Sequence, residues 1–355
     1  MEMFKRYFAD PRPNLRIDDY LSRKLKVMSY AAALCVVCLH FGRNIDTGTW
    51  LNAFLNDAII RGCFFASVSL FFLFSGMLLV KNFDGSLSWW KSTVVKRAKT
   101  LLVPYLVWCV LYGVCSRVVD TPDQLLSLSF WLKCLGVSPH RVLPLYCHMW
   151  YVRNLMVLCL LSPLFILAVN YMAGQRSTMF IAATLFIIVS VIDFPLKDQT
   201  VMASLYFMAG IFLAFHSDLL KRRVPTWVFL VWIALLIIRG VGRHVWGVPS
   251  PYLHWVVFIF TIVCVWAIYD FLYRFKSIQA ILGCKFIADL TSTSFLLYCA
   301  HMWVVISLPP WPAFMDGWVV QPILQTVVIA GFVYIAYKLF IQRSAWLSRI
   351  MTGGR

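Results

Sequence analysis

Acidic side chains are scarce in this sequence, with 15 Asp and Glu against 32 Lys and Arg in 355 residues. Asp57, Asp120, Asp123, Asp193, Asp198, Asp289 and Asp316 stand singly, and no Asp-x-Asp pair occurs. A metal-dependent transfer from a lipid-linked sugar wants carboxylates gathered around a hard cation, so this scarcity argues against a metal. Charge of either sign is sparse, at 13% of residues beside 61% apolar, where soluble domains carry roughly 25% and 45–50%. That composition excludes a soluble domain and makes the bilayer the solvent. The net charge of +17 does not indicate nucleic acid, because the cations lie between apolar runs rather than on one solvated face beside a packed core. Zinc spacings of Cys and His are missing too. Most of the eleven cysteines fall inside apolar runs as small buried hydrophobes. Cys115, Cys134 and Cys147 flank or lie in one external loop and could pair on an oxidising side.

What is present is a succession of apolar runs of spanning length. They fall near residues 27–43, 60–81, 100–117, 149–172, 178–193, 200–216, 225–240, 252–273, 289–307 and 319–341, each bounded by charges or by Pro and Gly turns. The expected fold is an all-α integral membrane protein, a bundle of about ten transmembrane helices forming one domain over residues 1–355. Orientation follows from the distribution of positive charge, because basic loops stay in the cytoplasm. Arg43, Arg61, Arg117, Lys133, Arg141, Lys197, Arg239 and Arg243 fall on the outer side and Arg153 within a span; every other Lys and Arg falls on the inner side. An odd number of spans would spoil this alternation, so both termini are expected in the cytoplasm and the chain in the cytoplasmic (inner) membrane. Residues 1–26 read as a basic cytoplasmic segment, with no small-residue cleavage site after the first apolar run. Residues 118–148 read as a long external loop carrying Trp131, Pro139, His140 and Pro144, and 342–355 as a cytoplasmic tail.

Ionisable groups inside hydrocarbon cost roughly 2.5–3.5 kcal/mol, so each one is a candidate for function. His40 ends the first run, in SYAAALCVVCLHFGR. An imidazole out of water is disfavoured in its charged form, and the neutral ring can accept a proton as a general base does. The same position suits a helix-end histidine bonded to a carbonyl. Lys91, Lys96, Arg97 and Lys99 precede the third run, where they suit phosphates or only membrane lipid headgroups and orientation. HMWYVRNLMVL places Trp150, Arg153 and Asn154 on one helical face by their i, i+3, i+4 spacing, with His148 just before them. A snorkelling Trp-Arg pair at the interface is the plainer alternative. His301 lies in SFLLYCAHMWVV with Tyr298 on its face, and Asp289 and Thr291 to Ser294 precede it as candidate helix caps.

In this order, CVVCLHF, SVSLFFLFSGMLLVKNF, KRAKTLLVPYLVW, HMWYVRNLMVL and STSFLLYCAH resemble the acyltransferase-3 family of bacterial integral membrane acyltransferases, over most of the chain. The resemblance implies a ten-helix O-acyltransferase that takes an acyl group, most commonly acetyl, from cytoplasmic acyl-CoA and places it on a hydroxyl of a carbohydrate. His40 matches the family histidine of the first span, Arg97 an arginine of its Arg-x-x-Arg element, and Ser75 and Gly76 the Ser-Gly of the second span. Two positions depart from the pattern. The family arginine eleven residues before the histidine is Ser29 here, about 16 Å away along a helix, with Lys26 one turn nearer the cytoplasm. The second basic position of Arg-x-x-Arg is Thr100, with Lys96 and Lys99 beside it.

Acyl transfer from a thioester to an alcohol needs a base, donors at the developing oxyanion and a grip on the donor's phosphates. The roles expected are His40 as catalytic base and Lys96, Arg97 and Lys99 at the CoA phosphates. Trp150, Arg153, Asn154, Tyr298 and His301 are candidates for the carbohydrate acceptor and the oxyanion, and no metal is called for. A transporter or flippase would suit buried His and Arg equally, but it predicts inverted repeats, and no internal repeat is evident. A sensory module would bind acyl-CoA without turnover.

Overall fold

The computed structural model describes residues 13–41, 49–115, 122–136, 144–173, 199–246, 251–307 and 320–354. All regular secondary structure among the described residues is helical. Five helices are long and apolar enough to cross a membrane, and a sixth if one bent pair counts as a single span. Three shorter apolar helices, Met202–Phe215, Thr226–Gly242 and Ser294–Val304, stand where further spans are expected from the sequence. The run at 178–193 lies outside the described residues.

Helix α1 spans Asp19–Phe41, starting well before the apolar run at 27. The reason is one buried cation. Lys24 is 1% exposed and its Nζ lies 2.5 Å from Oδ1 of Asp270, over the Trp266 ring at 3.4 Å, while Tyr20 donates to the same carboxylate. Pairing and the ring face offset part of the cost of taking an ammonium out of water, and the helix continues into what reads as the basic segment 1–26. Helix α2 covers Trp50–Asn82, capped by the Thr49 hydroxyl and containing a π-helical stretch at Asn56–Phe64. Helix α3 covers Leu87–Cys115. Its basic first half begins at the Ser86 cap and passes through a π turn at Ala98–Leu102 into the apolar half.

The connection expected as a long external loop is partly folded. It contains α4, Pro122–Leu126, and α5, Leu128–Leu135, which starts on the Ser127 hydroxyl and stops at Gly136 with φ 68°. Phe130 and Cys134 of α5 are buried, so apolar burial docks this helix against the bundle. Pro139 and His140 lie outside the described residues. No cysteine is disulfide-bonded; Cys115 and Cys147 are exposed and Cys134 is buried, so the pairing open to these three is not made.

Helices α6, Trp150–Leu160, and α7, Ser162–Ala173, form the bent pair, turned by 64°. The break falls just before Pro163, whose ring forbids the bond a continuous helix would need. Then follow α8, Gln199–Phe215, α9, Thr226–Trp246, and α10, Pro251–Leu272. Two short helices, α11 Lys276–Gly283 and α12 Lys285–Ser292, lead to α13, Ser294–Ser307. Helices α14, Val320–Ile341, and α15, Ala345–Thr352, complete the order. Asp289 pairs with Lys338 at 2.7 Å, and the hydroxyls of Thr291, Ser292 and Thr293 donate to carbonyls three residues back. These three hydroxyls donate within the last turns of α12.

Helix α1 packs against α2, α13 and α14, and α2 against α8 in the most extensive helix pair. In lipid, helix association depends on close packing and not on expulsion of water, so small residues matter where backbones meet. A Cβ on Gly76 would lie 2.0 Å from the Phe207 carbonyl oxygen, and one on Gly210 would lie 2.0 Å from that of Leu73. Each glycine receives the other helix's backbone. Gly76→Ala is expected to lower stability by about 1–3 kcal/mol, read as a lower melting temperature in detergent. Gly331→Ala, whose Cβ would meet nothing within 4 Å, should be neutral.

Candidate active site

His40 occupies the last turn of α1, half-buried in the wall of a cavity of about 400 Å³. Three histidines meet beside it. The His301 ring lies 5.0 Å from His40, centre to centre, and the His148 ring 4.6 Å from His301. His301 is fully buried, and its Nδ1 is 2.7 Å from the Tyr298 carbonyl oxygen. A carbonyl can only accept, so Nδ1 carries the proton and Nε2 is left as an acceptor. His148 has the opposite tautomer by the same argument, with Nε2 donating to the Cys299 carbonyl at 3.2 Å. His301 Nε2 and His148 Nδ1 have no hydrogen-bond partner among the described residues.

The turn holding His148 is tied to α13 by several bonds. Tyr146 donates to the Cys299 carbonyl at 3.0 Å and accepts from the Trp303 amide at 3.2 Å. The Tyr298 hydroxyl donates to the His148 carbonyl. Tyr298 also lies in the walls of two cavities, the one at His40 and a second of about 380 Å³ lined by Lys26, Ser29, Ser75, Tyr151 and hydroxyls of α12 and α13. Ser75 Oγ and Tyr151 Oη are 3.1 Å apart, and the Tyr151 and Tyr298 rings 5.4 Å. Ser29 and His40 thus share one helix but open into different cavities.

Of the residues expected on one face of α6, Trp150 lines the His40 cavity, while Arg153 and Asn154 line neither cavity. Arg153 Nε donates to the Asn154 side-chain oxygen at 3.1 Å, and Nη1 donates to the Leu135 carbonyl at 3.2 Å. Leu135 ends α5, where carbonyls have no partner within the helix, so the guanidinium clamps that helix to the bundle.

Lys96 and Lys99 are exposed and Arg97 is half-buried; none of the three lines either cavity. Their π turn packs on α6, the helix that carries Tyr151. A larger groove of about 1060 Å³ opens at the Lys24 end of α1, where Arg16, Lys221, Arg222, Arg223 and Arg274 face Asp18, Asp218 and Asp270.

Sequence reasoning did not select Arg61, Arg239 and His254, all of which line the cavity at His40, nor Asp270, the partner of Lys24. Arg61 and Arg239 entered only as positive charges of the outer side. Their position inside or beside apolar runs was the available signal.

Comparison with known proteins gives this geometry a chemical class. The acyltransferase-3 family model, described as an acyltransferase domain, matches residues 25–340, and the chain belongs to that family of membrane acyltransferases. It is similar to the succinoglycan biosynthesis protein ExoH of Rhizobium meliloti strain 1021, with 24% identity over 327 residues, 80% of this chain and 79% of that protein. No solved structure gives a significant match.

Arg153→Met is expected to loosen α5. The loss of a charge-assisted bond to a carbonyl, worth about 1–3 kcal/mol, should appear as faster amide exchange across residues 128–135, with exchange in α1 unchanged.

Proposed function

We propose that the chain moves an acyl group, acetyl first among the candidates, from cytoplasmic acyl-CoA to a hydroxyl of a cell-surface or exported carbohydrate, in the cytoplasmic membrane. The observation that carries this reading is Tyr298, shared by a cavity at Ser29 and a cavity at His40. A thioester entering from one side and a hydroxyl from the other would meet at that residue. The charge distribution supports ten spans with both termini inside, which places the Ser29 cavity toward the cytoplasm. ExoH, named for succinoglycan biosynthesis, supports a polysaccharide acceptor.

In this mechanism His40 takes the proton of the sugar hydroxyl as its oxygen attacks the thioester carbonyl. The C–S bond then breaks, and the thiolate recovers a proton from the imidazolium. His301, with its Nε2 acceptor, steadies the charge that forms on His40. Trp150 offers a face to the sugar ring; Tyr298 lines both cavities, but its single O–H is given to the His148 carbonyl, so it walls the meeting point and is not an oxyanion donor. Lys96, Arg97 and Lys99 would hold the CoA phosphates on the inner side, while Lys26 places an ammonium in the cavity where Ser29 stands for the family arginine. Hydroxyls from Ser75, Tyr151 and α12 leave room for the slender pantetheine arm.

Purified protein given labelled acetyl-CoA and oligosaccharide repeat units of exported polysaccharides is expected to transfer the label. His40→Ala should lower the rate by about 10²-fold or more at unchanged melting temperature. Full activity of that variant would overturn the assignment.

A further inference from the structure

We propose that the acceptor carries an anionic group, a carboxylate or a phosphate, that docks on Arg61 and Arg239 beside His40. This rests on the acyltransfer reading above and names the acceptor's chemistry. Both arginines line the cavity at His40, and no Asp or Glu is among its described lining residues. Arg61 comes from the π-helical stretch of α2. π-helical departures from α geometry occur often at functional sites, because they redirect a side chain. Arg239 comes from α9, which packs against that stretch, and its Nε donates to the Asp57 carbonyl at 2.9 Å, which fixes the guanidinium.

Cations are expected on the cytoplasmic side, where they set orientation and meet anionic lipid. These two stand at the opposite end of α1 from the basic groove, half-buried in the wall of a cavity. Two guanidiniums in the wall of one cavity present positive charge to whatever enters it, and an acidic group on the acceptor is complementary to that wall.

The aromatic lining suits a sugar. Phe65 and His254 meet edge to face at 5.3 Å, and with Trp150 they offer apolar faces around the cations. The donor does not bring the charge, because its phosphates belong at the far end of the path, and neither the pantetheine arm nor an acetyl group is ionised. The geometry therefore points to an acidic sugar residue or a diphosphate-linked sugar, held by a guanidinium in the bidentate manner that Arg permits.

The test is a binding measurement on the full-length protein in phosphatidylcholine nanodiscs. One pair of probes is tetragalacturonate and its carboxyl-reduced form; the other is a short-chain polyprenyl diphosphoglucose and the matching polyprenyl glucoside. In at least one pair the anionic member should bind about tenfold or more tightly than the neutral one, as expected for a charge-assisted contact. Arg61→Gln or Arg239→Gln should erase that difference, and Arg61→Lys should keep part of it. The pair that discriminates identifies the source as sugar acid or diphosphate. Equal binding in both pairs, or discrimination that survives both glutamine variants, overturns the proposal. It is also overturned if the variants selectively weaken succinyl-CoA relative to acetyl-CoA, because the arginines would then read the acyl group. Binding needs no turnover: discrimination without any acyl transfer would refute the function proposed above and leave this inference standing.

Discussion

The bond from the Tyr298 hydroxyl to the His148 carbonyl is the constraint on which the site depends. It joins α13 to the turn before α6, and the same two segments exchange bonds through Tyr146, Cys299, His148 and Trp303. In a low-dielectric interior such bonds have no water to replace them, so they hold the two segments together. That tie keeps Tyr298 between the two cavities and fixes the tautomers of His148 and His301. The acceptor nitrogens left over belong to the two histidines clustered with His40.

Helix α1 gives the site its direction. Ser29 and His40 are on one rigid rod, separated by about 16 Å of helix rise, and the rod is pinned at its start by Lys24, Asp270 and Trp266. Breaking a buried pair by removing one partner leaves an uncompensated charge and costs about 3–5 kcal/mol. The anchor therefore fixes the height of His40 relative to Tyr298 at the far end of the helix. The contact at Gly76 and Gly210 does the same for α2, which delivers Ser75 to one cavity and Arg61 to the other.

The membrane nature of the fold, most of its apolar segments and the family were legible in composition and in the order of short motifs, because these depend on hydropathy and on local residue identity. What was not legible depends on pairing across the chain. Lys24 read as part of a basic tail because its partner Asp270 is 246 residues away. Arg153 and Asn154 read as part of a site by helical spacing, but the Leu135 carbonyl, from a helix that looked like loop, determines where the guanidinium points. Arg61, Arg239 and His254 come from three separate helices, and no local pattern announces that they meet at His40.

The central claim is that the acyl group crosses within the bundle, from the Ser29 cavity to the His40 cavity. Sidedness in proteoliposomes of uniform orientation tests it most directly, with labelled acetyl-CoA confined to the compartment facing the termini and a glycan acceptor confined to the opposite one. The account predicts labelled ester on the glycan and free CoA retained in the donor compartment. Transfer that occurs only when donor and acceptor share a compartment would contradict it.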